Sequence, residues 1–140
     1  MIKDRIYASV IFFCLVLGVL QTPAFYPIVY AQGISTDEAV RIIVNEAADQ
    51  GLKGMICVGE VLRHRGGIKG FHGSHSNGLM GQPKSVWEMA AKAWDLSAHT
   101  DYTNGADHFE NIRKYGIPWW AKHCVKTYEY KDHVFYKESR

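Results

Sequence analysis

Glu46 is a candidate for proton chemistry. It stands near the end of the stretch 35–47, S-T-D-E-A-V-R-I-I-V-N-E-A, with Ile42 and Ile43 one turn behind it. A carboxyl flanked by apolar side chains is partly desolvated, which raises its proton affinity and lets it deliver a proton near neutral pH. Spacing alone does not overturn the commoner reading, a solvated glutamate near a helix end. A second group of reactive and polar side chains, His108, Glu110 and Asn111, lies in Gly105-Ala106-Asp107-His108-Phe109-Glu110-Asn111. The alternation there puts His108 and Glu110 on one face of a strand, where they either meet a ligand or close a hydrogen-bond network under a sheet. Trp119-Trp120 follows, two adjacent rings of which one can enter a core while the other faces a cleft.

The elements that must hold these residues are legible from their caps and periods. Ser35 and Glu38 form a capping box, and Val40, Ile43, Val44 and Ala47 recur at helical spacing behind it. Residues 49–53 read as a short turn. Residues 54–65 read as a second helix, apolar almost all round and therefore central. Glu60 falls inside that helix, and Arg63 or Arg65 is its expected partner, since buried charges are usually paired; a second role near the site is the alternative. The stretch 66–83 holds six glycines and no clear period, as a long loop bordering a cleft would. Ser85 and Glu88 repeat the capping-box pattern before Val86, Trp87, Ala90, Ala91 and Trp94, a third helix ending near Ser97. Residues 106–111, 125–130 and 133–137 alternate as strands, the last two forming a hairpin around Lys131-Asp132, and Pro118 opens a helical turn before Trp119. Helices first and a small antiparallel sheet later make an α+β domain.

Length and composition bound the function. The chain has 140 residues. Lys3 and Arg5, an apolar run from Ile6 to Leu20 and the Val29-Tyr30-Ala31 site read as a cleaved export signal over 1–31, leaving 32–140 as one domain. The apolar run is shorter than the ~20 residues of a spanning helix, so no stable membrane insertion is expected after cleavage. Sixteen basic against fourteen acidic side chains give a net charge of +2, without the basic face of a nucleic-acid binder. Export would permit a disulfide between Cys57 and Cys124, but Cys57 in its apolar run fits a buried thiol at least as well. His64, His72 and His75 lack metal-ligand spacing, and neither a metal nor another cofactor is expected.

Several blocks together resemble one family. Glu46-Ala47, the polar turn Asp49-Gln50-Gly51, then Gly54-Met55-Ile56-Cys57-Val58 closing on Arg65 are similar to the opening motif of the SleB-like cell wall hydrolases, the spore cortex-lytic enzyme family. The 105–111 block, Pro118-Trp119-Trp120-Ala121 and Asp132-His133-Val134-Phe135-Tyr136 resemble that family's later blocks, in its order. The resemblance implies a lysozyme-like fold, peptidoglycan glycan strands as substrate, and Glu46 as the catalytic acid. His108, Glu110, Asn111, Trp119 and Trp120 would bind substrate. It further implies a lytic transglycosylase in which one glutamate serves as acid and then base; a monomer is expected, and the export signal directs it to the cell wall or periplasm. Glycosidic hydrolysis would need a second carboxylate, for which Asp101, Asp107, Glu110 and Glu60 are the candidates. Muramidase-type hydrolysis and a non-catalytic glycan-binding module are the alternatives. Glu60 and the 66–83 loop depart from the family pattern, Gln82 being the remnant of a Gln-Phe-Ser segment there.

Overall fold

The computed structural model describes residues 33–71, 79 and 81–139. The expected export signal over 1–31, with Cys14, and His72 and His75 lie outside those residues. Among them the chain order is α1 (Thr36–Ala47), α2 (Gly51–Arg65), α3 (Lys84–Leu96), β1 (His108–Asn111), α4 (Ile112–Tyr115), a 3-10 helix (Trp119–His123), β2 (Cys124–Tyr130) and β3 (His133–Glu138). This is the α+β order the sequence predicts.

The start of α1 follows from its capping box. Ser35 Oγ accepts from the Glu38 amide at 3.3 Å, and Glu38 Oε2 accepts from the Ser35 amide at 3.1 Å. The buried stripe is Ala39, Ile42, Ile43, Val44 and Ala47, with Val40 at its edge. Helix α2 starts at Gly51 rather than at 54, because Gly51 takes φ +72°, closing the turn in fewer residues than the polar sequence suggested. Every residue from Gly54 to Leu62 is buried. One side of α2 packs on α1 and α3. Its Cys57 and Val61 meet Ala106 and Phe135 below the sheet, so the apolar circumference of α2 is consumed from both directions. Gly59 allows the close approach to α3, since a Cβ there would fall 2.8 Å from Ser97 Oγ.

Three expectations for the helices are corrected. Helix α3 begins at Lys84 with Pro83 at its cap and no side-chain cap, so Ser85 and Glu88 form no box. Glu88 pairs instead with Lys84 at 3.2 Å, one turn apart. Ala91 faces solvent, and Ala90, Ala93 and Trp94 carry the buried face. Glu60 is fully buried, and two main-chain amides take the place of its expected arginine partner: Tyr102 N at 3.0 Å and Thr103 N at 2.9 Å. Arg63 Nε donates to Ser97 Oγ at 2.8 Å and its Nη2 to the Trp94 carbonyl at 2.7 Å, with the guanidinium over the Trp94 ring. Arg65 donates to the Lys69 carbonyl and covers the Phe71 ring.

The sheet is antiparallel with order β1-β3-β2. β2 and β3 form the expected hairpin, with Tyr130 opposite His133 and Lys131 at φ +51° in the turn. β1 pairs with β3 so that His108 faces Tyr136 and Glu110 faces Val134. The strand carrying the candidate polar residues is thus an outer one, open to the helices. Cys57 and Cys124 are both free thiols; burial, followed by the nearby Glu60 charge, pushes Cys57 up to about 12.

Candidate active site

α1 brings Glu46 to the cleft. Ala47 and Ile43 lock the helix end into the core, which leaves the partly buried Glu46 at the boundary between core and solvent. Asn45 Nδ2 donates to Glu46 Oε1 at 3.4 Å. The last turn of α1 holds no basic residue, so the partial negative charge of its carbonyl end is not offset from within the helix.

Glu46 lies where two cavities meet. The first, about 750 Å³, is lined by Arg65, Phe71, His108 and Trp120 among others. The second, about 440 Å³, runs on past Asp49, Gln50, Gln82, Asn111 and His133. Asn45, Glu46, Phe109, Glu110, Lys114 and Tyr115 line both, so the two form one groove with Glu46 at its middle.

The strand β1 and the turn after it supply the opposite wall. His108 Nδ1 lies 2.7 Å from Asp107 Oδ1, which also accepts from the Glu138 amide at 3.1 Å. Burial acts to raise the Asp107 carboxyl, but the His108 bond and the Glu138 amide outweigh it and hold Asp107 below its usual value. The His108 ring lies 5.1 Å from Trp120 at a tilt of 41°, and the Trp120 ring meets Tyr136 edge-on at 5.4 Å. The imidazole is therefore fixed by a carboxylate on one side and an indole on the other. Glu110 Oε1 accepts from the Asn111 amide at 2.9 Å, and Asn111 Oδ1 from the Lys114 amide at 3.0 Å, capping α4.

Of the sequence-predicted residues, Glu46, His108, Glu110 and Trp120 share the first cavity, and Asn111 lines the second. Trp119 is 78% exposed and lines neither. Among the four candidate second carboxylates, Glu110 alone lines the groove. Asp107 stands behind His108, Asp101 accepts from the Gly105 amide at 2.7 Å, and Glu60 is sealed under residues 102–103. Sequence reasoning did not single out Phe71, Phe109, Lys114, Tyr115, Gln50 or His133 as groove residues. Tyr115, 66% exposed beside Gly116 in an aperiodic stretch, is the one with a signal in the sequence: an aromatic where no core needs it. Among the described residues no three of His, Cys, Asp and Glu gather where they could hold a metal ion.

The Asp107–His108 contact has a measurable consequence. A carboxyl depressed in the folded state adds stability above its unfolded value and loses it as pH falls through the folded value. Asp107→Asn is expected to lower stability by about 1 kcal/mol at neutral pH, with the difference from wild type vanishing in acid. Thermal melts of both proteins at about pH 7 and about pH 3 check this.

The architecture defines the class: helices followed by a three-stranded antiparallel sheet, with the groove between them, is a lysozyme-like α+β fold. No protein-family model and no curated protein matches the chain in sequence. Two solved structures match its fold. One is the catalytic domain of the germination-specific lytic transglycosylase SleB from Bacillus anthracis, at 17% identity and a TM-score of 0.57, covering 76% of this chain and 98% of that one. The other is the catalytic domain of the Bacillus cereus SleB protein, at 18% identity and a TM-score of 0.60, covering 76% of this chain and 94% of that one. The fold is thus similar to the SleB catalytic domains, in agreement with the ordered sequence blocks.

Proposed function

We propose that the chain cleaves the MurNAc–GlcNAc bond of peptidoglycan glycan strands as a lytic transglycosylase. The observation that supports this reading is that Glu46 lines both cavities of one groove, about 750 Å³ and about 440 Å³. In the reaction Glu46 protonates the glycosidic oxygen, the bond breaks to an oxocarbenium-like centre, and the same carboxylate then takes the proton of the attacking sugar 6-hydroxyl. His108, Glu110, Asn111 and Trp120 position the strand, the indole and imidazole by stacking and the polar groups by hydrogen bonds. Trp119, outside the groove, would act only on a strand that extends beyond it.

Glu110 favours a second reading. It is the one candidate carboxylate that shares both cavities with Glu46, which muramidase-type hydrolysis requires of a nucleophile or base. Purified peptidoglycan incubated with the protein tests the reading: soluble muropeptides should appear. Binding to the insoluble wall without any release would leave a glycan-binding module instead.

The site of action is the cell wall, outside the cytoplasm, reached by export with cleavage after Ala31. Sequencing the amino terminus of the secreted protein should find Gln32 first. An intact Met1 on membrane-bound protein would mean an anchored enzyme.

A further inference from the structure

The arm of the groove beyond Glu46, on the Asp49 side, contains groups that the cleavage chemistry leaves unused. Gln50 is 3% and His133 5% exposed, and both line this arm. Gln50 Nε2 donates to Asp49 Oδ1 at 2.7 Å and to Asp132 Oδ2 at 3.2 Å, so its amide hydrogens are committed to two carboxylates. Its Oε1 is buried without a hydrogen-bond partner among the described residues, and so is His133 Nδ1. Buried polar atoms are almost always satisfied, so two such atoms on residues that line one cavity call for donors from outside the chain. Burial lowers the proton affinity of His133 more than Asp49 and Asp132 raise it, so the ring is held neutral and offers an acceptor nitrogen.

The remaining groups along this arm have the same bias. Glu46, Asp49 and Glu110 line it, with Lys114 as the one lysine or arginine among the described lining residues. Asn111 Oδ1 and Glu110 Oε1 accept main-chain hydrogens, and Arg113 is drawn to Asp132 at 3.3 Å. Three carboxylates against one lysine give the described lining a negative balance, and the amide donors of Gln50 are spent. The group that suits such a surface carries several hydrogens and a positive charge.

We propose that this arm is a subsite for a primary ammonium group of the substrate, held by Asp49 and by the free oxygen of Gln50. The proposal rests on the reading of the groove as a glycan site and narrows its substrate class. An ammonium supplies three donors and one charge, matching a carboxylate and an unpartnered amide oxygen. A wall polymer offers that chemistry from two sources, the amine of a de-N-acetylated amino sugar and the side-chain amine of a diamino acid in the stem peptide.

Calorimetric titration of the protein with two probe pairs tests the proposal and separates the sources. The sugar pair is a glucosamine hexamer and an N-acetylglucosamine hexamer; the peptide pair is a soluble muropeptide with a free diamino-acid amine and the same muropeptide after N-acetylation. In at least one pair the free amine should bind about ten- to a hundred-fold tighter, the worth of a charge-assisted hydrogen bond. Asp49→Asn, at an exposed position that does not threaten the fold, should erase that preference while leaving affinity for the acetylated probe within about twofold. Equal, measurable affinity within both pairs overturns the subsite but leaves the glycan groove standing. A preference that survives Asp49→Asn also overturns it, and no binding by any of the four probes overturns the subsite and the groove together.

Discussion

Glu46→Gln is expected to remove muropeptide release by roughly 10² to 10⁴-fold, and by more if the residue serves as both acid and base. Glutamine keeps the size of the side chain and an oxygen that can still accept from Asn45, now 3.4 Å from Glu46 Oε1, but has no proton to deliver. The fold should hold, since the core contacts of this turn come from Ile43 and Ala47. Affinity for glycan should also hold, because the groove keeps its shape. Glu110→Gln and Asp107→Asn are the controls, one a carboxylate in the groove and the other behind its wall. Normal release by Glu46→Gln, with release lost in Glu110→Gln, would assign the acid to the wrong residue.

Glu60→Ala is expected to have the largest effect on stability. The carboxylate is fully buried and accepts from two successive amides, Tyr102 N and Thr103 N, which fixes the chain between α3 and β1 to the central helix. Removing it strands those donors at about 1–3 kcal/mol each and opens a cavity besides, so the loss should be roughly 3 kcal/mol or more. For a domain of this size that lowers Tm by more than about 10 °C. Glycan release per folded molecule should fall much less than in Glu46→Gln, because Glu60 does not line the groove. A Tm within a few degrees of wild type would mean that water replaces the carboxylate, and that the 102–103 amides do not depend on it.

These two glutamates mark what the sequence made legible. Glu46 could be placed because its setting is local: a capping box fixes where α1 starts, the apolar stripe fixes its phase, and the ordered blocks fix which carboxylate to favour. The hairpin was legible for the same reason, its strands lying two residues apart. Glu60 could be seen to be buried but its partners could not be named, because they are main-chain amides 42 and 43 residues away with no side-chain signature. Gln50 is a similar case. It reads as a turn residue, and it is buried because Asp132, 82 residues on, comes back to its amide. The pairing of β1 with β3 rather than β2 was equally out of reach, being a matter of topology. The groove is built from such distant pairings, which is why its catalytic candidate was found in the sequence and most of its second arm was not.

The central claim is that a glycosidic bond breaks at Glu46 by attack of the sugar's own 6-hydroxyl. Mass spectrometry of the muropeptides released from purified peptidoglycan tests it most directly. The account predicts 1,6-anhydro-muramoyl ends, present with the wild-type protein and absent with Glu46→Gln. Reducing muramoyl ends would transfer the chemistry to hydrolysis with Glu110 as partner, and cut peptides on intact glycan strands would contradict the account outright.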